Sequence, residues 1–190
     1  MKRLDFLKTC AGGLCACAMI GAPAGAETST AAAPAAPAPP KPEDWRFQFI
    51  KRRYAKLLEN LQGRVGDQAL DEILQQQGRY CASTADLIQK HKGDIDGFIK
   101  AITTEWKQEI AYDREKGVIT ATGPEVKECF CPLIDGRYTP KSACDCSLGW
   151  TQYTYETVLG RKVQVELKES VLRGGKRCVF IIRVVPATPA

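Results

Sequence analysis

Residues 161–184 read RKVQVELKESVLRGGKRCVFIIRV. Two strand patterns flank a turn signal. In Lys162–Ser170 apolar and polar residues alternate, with Val163, Val165 and Leu167 on one face and Gln164, Glu166 and Lys168 on the other. Arg173-Gly174-Gly175-Lys176 is a hairpin turn signal. Cys178–Val184 then returns as a buried strand. This antiparallel pair makes the C-terminal part of the chain a sheet.

Working upstream, residues 146–159 have a helical pattern, with Trp150, Tyr153, Tyr155 and Val158 as apolar or aromatic positions and Gly160 as the stop. Three short strands precede it, at Glu109–Asp113, Val118–Thr122 and Glu125–Cys131, separated by Gly117 with its charged neighbours and by Gly123-Pro124. Four helices come before the strands. The first is capped by Asp44 and runs through Leu61, carrying Phe49, Ile50, Tyr54, Leu57, Leu58 and Leu61. The second covers about 66–79 with Leu70, Ile73 and Leu74 on one face. The third carries Leu87 and Ile88 and stops near His91. The fourth starts at Asp94 or Asp96 and carries Phe98, Ile99, Ile102 and Trp106. The expected fold is α+β: N-terminal helices followed by an antiparallel sheet interrupted by one helix.

The chain ends differ in composition from this centre. Residues 1–26 read as an export signal: Lys2, Arg3 and Lys8 are basic, residues 9–22 are small and mildly apolar, and Ala24-Gly25-Ala26 is a small-x-small cleavage site before Glu27. Arg3-Leu4-Asp5-Phe6-Leu7-Lys8 resembles the twin-arginine signal, with Leu4 in place of the second arginine. Leu14-Cys15-Ala16-Cys17 resembles a lipoprotein box, which would put a lipid anchor on Cys17. The expected location is therefore outside the cytoplasm, in the periplasm, with a membrane-anchored lipoprotein as the alternative. Residues 27–42 form an Ala/Pro-rich linker too poor in apolar bulk to pack a core. Residues 43–185 are expected to form the cysteine-containing domain, and 186–190 a disordered tail.

Charge narrows the partners. The formal net charge is +5, and the first 26 residues hold Lys2, Arg3, Lys8 and Asp5, leaving only +3 elsewhere. Acidic and basic residues are interspersed, with no basic stripe interleaved with aromatics, so nucleic acid is not an expected partner. No run of about 18 apolar residues follows the start, so membrane contact is expected only through the signal or the Cys17 anchor.

Nine cysteines occur, three of them in the export signal. The other six are Cys81, Cys129, Cys131, Cys144, Cys146 and Cys178. Four of these form Cys129-Phe130-Cys131 and Cys144-Asp145-Cys146. In an extended strand, residues two apart share a face, so each pair offers two sulfurs in one direction. Two facing pairs suit a tetrahedral ion with sulfur at roughly 2.3 Å, zinc being the default and iron–sulfur another option. Disulfides fit the same residues in an oxidising compartment. A bridge within an extended Cys-x-Cys would be strained at a Cα separation of roughly 6.5–7 Å, so cross-pairing is easier. Free thiols are the third option.

Four blocks follow in order: Gly78-Arg79-Tyr80-Cys81-Ala82; Cys129-Phe130-Cys131-Pro132-Leu133; Cys144-Asp145-Cys146-Ser147-Leu148-Gly149-Trp150; and Glu169 to Phe180. With them the chain resembles, over roughly 45–184, a bacterial family of domains with Cys-x-Cys-Pro and Cys-x-Cys-Ser blocks. It is more distantly similar to vinyl-reductase-type ligand-binding domains and to aminothiazoline-carboxylate hydrolases. The first of these resemblances implies a small-ligand sensor, in some cases with zinc held by cysteines near the hairpin, where Cys178 matches. Ser170 stands where those relatives often have another cysteine, and the Cys-x-Cys pairs would supply the missing ligands. The second implies a hydrolase that opens a sulfur-containing ring.

The expected site residues follow. Cys129, Cys131, Cys144, Cys146 and Cys178 are the metal candidates. Trp150, Tyr153 and Tyr155 are candidates to line a small-molecule pocket between the 146–159 helix and the sheet, although core packing is the favoured account of these residue types. Glu166 and Glu169 read as a solvated face and His91 as an exposed helix end. The expected function is an exported small-ligand-binding module with a cysteine cluster holding a structural metal. The alternatives are a thiol- or metal-dependent hydrolase of a small sulfur- or nitrogen-containing substrate, and a disulfide-stapled interaction domain.

Overall fold

The computed structural model describes residues 44–186, all within one compact unit. The export-signal and linker readings, and the tail from 187 onward, lie outside the described residues. Five α-helices and four strands follow one another: α1 (Trp45–Gln62), α2 (Asp67–Ser83), α3 (Asp86–Lys90), α4 (Ile95–Glu105), β1 (Glu109–Asp113), β2 (Val118–Thr122), α5 (Asp145–Leu159), β3 (Val163–Glu169) and β4 (Val179–Val184). A 3-10 turn, Lys141–Cys144, leads directly into α5. The fold is α+β, with a helix between the two strand pairs.

Local chemistry sets these boundaries. The Asp44 carboxylate accepts the Arg46 N–H at 3.0 Å and caps α1. Asp94 does the same for α4 through Gly97 N–H at 2.9 Å. Gly160 ends α5 at φ +66°, a left-handed position that glycine takes without a Cβ clash. α2 runs to Ser83, four residues past the expected end at 79.

The sheet is wholly antiparallel in the order β1-β2-β4-β3. The C-terminal pair meets as expected, with Val163 opposite Val184 and Val165 opposite Ile182. β4 is central, between β2 and β3, so both its edges are hydrogen-bonded. The expected strand at Glu125–Cys131 is absent: residues 123–140 form an irregular loop without ladder pairing. Its backbone is instead fastened to the β3–β4 connection, where Gly123 N–H donates to Cys178 O at 2.9 Å and Val126 N–H to Lys176 O at 3.1 Å.

Two apolar clusters organise the interior. The larger joins the sheet to α4 and α5 through Phe98, Ile102, Ile119, Ala121, Tyr155, Val158, Val163 and Ile182. The smaller lies at the other end, with Leu58, Leu70, Leu74, Ile134 and Ala143. α2 and α5 pack backbone to backbone. A Cβ on Gly78 would fall 1.8 Å from Cys146 O, and one on Gly149 would fall 1.9 Å from Gln75 O. No helix among the described residues is long and apolar enough to cross a membrane.

Candidate functional site

The α2–α5 contact decides where the cysteines meet. Gly78 abuts the backbone of Cys146, and Cys81 follows Gly78 by three residues on the same helix face. Gln77 Nε2 donates to Cys81 Sγ at 3.4 Å. Cys146 and Cys129 both pack against the smaller apolar cluster. The loop carrying Cys129 and Cys131 is pinned there by buried Ile134, whose N–H donates to Cys131 O at 3.1 Å. Cys131 is exposed, Cys144 is buried, and the other four cysteines are half-buried.

The thiols therefore share one neighbourhood. Cys146 feels Cys81, Cys131 and Cys129, while Cys129 feels Cys178, Cys131 and Cys144. Burial is the main cause of the pKa changes. It pushes the Cys146 thiol up to about 12 and raises Cys129 and Cys144 as well. Tyr54 on α1 faces the same group and is also raised to about 12, first by burial and then by Cys146, Cys131 and Cys81.

The geometry within the pairs differs from the strand reading. Cys129 and Cys131 lie in loop, and Cys144 and Cys146 in a helical turn. Helical residues two apart project about 200° apart, to different sides. Cys144 accordingly meets the β3–β4 connection: its Sγ lies 2.8 Å from Ser170 Oγ, and Ser170 is buried at 2% exposure. Cys146 meets α1 and α2. Among the described residues, no group of three or more His, Cys, Asp or Glu is arranged to hold a metal ion. The six cysteines are free thiols in this arrangement.

Around Cys144 the polar groups pair with one another. Arg173 Nη2 donates to Asp145 Oδ1 at 3.0 Å, tying the β3–β4 connection to the start of α5. Glu169 Oε1 accepts the Lys176 N–H at 2.7 Å and the Arg177 N–H at 3.3 Å, so this carboxylate braces the connection. Glu166 pairs with Lys168 and Arg183.

The aromatic candidates occupy three settings. Tyr155 is 3% exposed, edge-on to Phe98 at 6.1 Å, within the main core. Trp150 is half-buried against that core, 6.4 Å from Trp106. Tyr153 is half-buried, with Arg79 over its ring and its hydroxyl 3.3 Å from Gln89 Nε2. Two concavities among the described residues lie elsewhere. One, about 520 Å³, is an open groove on α2 lined by Ala69, Glu72, Ile73, Gln76, Gln77 and Tyr80. The other, about 210 Å³, lies by Leu167–Ser170, Arg173 and Gly175. His91 ends α3, as expected, but its side chain is largely covered, against Phe98 and 3.4 Å from Asp94 Oδ2.

Sequence reasoning expected Cys178 or Cys81 near the cluster and left Cys81 out of the metal candidates; it missed Tyr54 as a member of this neighbourhood. The signal for Cys81 was present in its block, Gly78-Arg79-Tyr80-Cys81-Ala82, where a glycine one turn before a cysteine marks a close helix contact.

Comparison with known proteins gives structures only. No protein-family model matches the chain, and no curated protein matches it. A trafficking protein particle complex subunit 3 from Naegleria fowleri, covalently bound to palmitic acid, is similar at 11% identity over 78% of this chain and 100% of its own, TM-score 0.49. The phenol-responsive sensory domain of the transcription activator PoxR, with phenol, is similar at 13% identity over 70% and 74%, TM-score 0.47. A vinyl-4-reductase family protein from Methanocaldococcus jannaschii is similar at 15% identity over 79% and 85%, TM-score 0.36.

Proposed function

We propose that this chain is an exported binding module rather than a catalyst, and that its binding groups are thiols at the start of α5 that hold a soft metal ion such as zinc. The shared neighbourhood of cysteines from α2, the 123–140 loop, the α5 start and the β3–β4 connection supports this reading. Burial raises the pKa of Cys129, Cys144 and Cys146, which speaks against these three as the nucleophile of the hydrolase alternative. A thiol kept protonated at neutral pH is a poor nucleophile. The lone histidine pairs with Asp94 and packs against Phe98. A thiophilic ion changes the balance, because it displaces the proton and stabilises the thiolate that burial disfavours.

Protein recovered from the exported fraction under anaerobic conditions tests the reading by elemental analysis, thiol titration and intact mass. The expected result is about one zinc per chain, with the thiols titrating after chelation. Disulfide bridges throughout with no metal would replace it by the stapled interaction domain. Mass spectrometry is expected to place the mature N-terminus near Glu27. An intact Met1 in a cytoplasmic fraction would defeat export, and a diacylated Cys17 would move the cleavage site while keeping it.

A small organic ligand is the second reading, favoured by the groove on α2. Its volume of about 520 Å³ falls in the roughly 300–1,000 Å³ range of small-molecule clefts. Ile73 and Tyr80 supply apolar surface there, and Gln76 and Gln77 supply amides. Binding of a small aromatic compound that is lost in Tyr80→Ala would support this location. Binding unaffected by that change would remove it.

A further inference from the structure

We propose that the outer face of α1 docks on an anionic lipid surface, lying in the interface without crossing it. The charges that are interspersed over the chain as a whole are not so on this helix. Between Trp45 and Gln62 stand Arg46, Lys51, Arg52, Arg53 and Lys56 against one acid, Glu59, a net of +4. The helix turns Ala55 and Leu58 inward, where both are buried. On the opposite side Trp45, Phe49, Ile50 and Leu57 are between 49% and 69% exposed. At about 100° per residue these four fall within one arc of about 160°, and Arg46, Arg52, Arg53 and Lys56 fall in the same arc, all exposed. Trp45 and Phe49, one turn apart, meet edge to face at 6.4 Å. The Arg46 guanidinium lies 5.6 Å over the Trp45 ring, and that of Arg53 5.2 Å over the Phe49 ring.

A helix on the surface of a soluble domain turns polar residues outward. Here four large apolar side chains point out with the cations. Scattered exposed apolar residues need no explanation, but a contiguous group of them marks a contact surface. An anionic bilayer matches both components of this face. Trp and Phe rings settle at headgroup depth, and Ile50 and Leu57 bury beside them. Arg and Lys lay their stems along the apolar surface and reach the lipid phosphates, so charge attraction adds to burial. No helix among the described residues is long and apolar enough to cross a membrane, so the contact is lateral. Other occupants match less. A second copy meeting this face about a two-fold axis would set its four cations against four of the same sign. A nucleic-acid strand would stack on the rings but gain nothing from Ile50 and Leu57, and a convex helix face offers no groove to follow its backbone.

The test uses the full chain with vesicles of phosphatidylcholine alone or with about one-third phosphatidylglycerol, read by co-sedimentation and by tryptophan emission. Trp106 and Trp150 pack on the main core, so a blue shift on binding reports Trp45. The shift is expected with the anionic vesicles only, and it should disappear in Trp45→Phe while that variant still sediments. High salt should weaken binding. The double variant Arg46→Gln/Arg53→Gln should weaken it at least about tenfold, with native far-UV circular dichroism because both side chains are exposed. Phe49→Ala should weaken it as well. Equal binding to neutral vesicles would overturn the proposal. So would sedimentation with no shift of Trp45 emission and no effect of the double variant, which would place the contact in residues 1–43. A dimer that Phe49→Ala dissolves would assign the face to a second copy, and an oligonucleotide bound more tightly than the anionic vesicles would assign it to nucleic acid. Either result would overturn lipid docking. The metal reading stands or falls independently of these outcomes.

Discussion

Gly78 and Gly149 leave no room for a side chain. Each faces a backbone carbonyl of the opposite helix, which cannot rotate aside as a side chain would. Gly149→Ala should therefore cost at least the roughly 1–3 kcal/mol typical of overpacking, read as a lower urea midpoint. Gly78→Ala should do the same and also disturb the cysteine neighbourhood, because its Cβ strikes Cys146 O. Tyr155 makes the opposite case. Its hydroxyl is buried and finds no hydrogen-bond partner among the described residues. Tyr155→Phe should leave stability unchanged or raise it, since it removes a polar group that burial disfavours. A loss above about 1 kcal/mol in chemical denaturation would mean that the hydroxyl is satisfied in solution. Trp150 packs on Trp106 and the main core, so Trp150→Ala should act chiefly on stability, by up to about 3 kcal/mol.

At the scale of elements, the 123–140 loop is the segment that sequence patterning misassigned. Its pattern over Glu125–Cys131 fits a strand, but Val126 and Phe130 are exposed and the segment pairs with no strand of the sheet. β2 already uses its two edges for β1 and β4. The loop is held instead by a compact turn at its far end. Asp135 accepts from Arg137 N–H at 3.0 Å and Nε at 2.9 Å, and its own N–H donates to Thr139 Oγ1 at 3.1 Å. The hydrogen bonds from Arg137 are the main reason that its pKa falls to about 2. A carboxyl depressed in the folded state stabilises the turn above its ordinary pKa of about 4 and loses that contribution as pH falls through its folded value. Hydrogen exchange at Tyr138 and Thr139 should therefore be slow at pH 5 and accelerate, beyond the intrinsic pH effect, as pH approaches 2. Asp135→Asn should show faster exchange there already at pH 5. Equal protection in both proteins would remove the charged pair as the cause.

For the whole molecule, the larger core and the cysteine neighbourhood lie at opposite ends of α5. Val158 and Tyr155 join the sheet, and Cys146 and Gly149 join α2. A metal at the second end would therefore fasten α1, α2, the loop and α5 to one another. If it binds only the folded chain, zinc at 100 times its dissociation constant should add about 2.7 kcal/mol of stability. The measurement is a melting temperature that rises with zinc and returns on chelation. A melting temperature indifferent to both would sink the structural role of the ion.

The sequence by itself determined the strands at 109–113 and 118–122, the two C-terminal strands to within a residue at each end, the helix before Gly160 and the cap at Asp44, and it narrowed the α4 cap to Asp94 or Asp96. These depend on periodicity, capping and turn chemistry, all of which act within a few residues along the chain. It also marked the six cysteines by their spacing. Which cysteines meet was decided by tertiary structure. That depends on a backbone contact between α2 and α5, helices more than sixty residues apart in sequence. It also depends on a helical turn that sends Cys144 to Ser170 and Cys146 to Cys81. Spacing of two along the chain fixes a shared direction only in an extended strand, and here that spacing falls on a helix and on a loop.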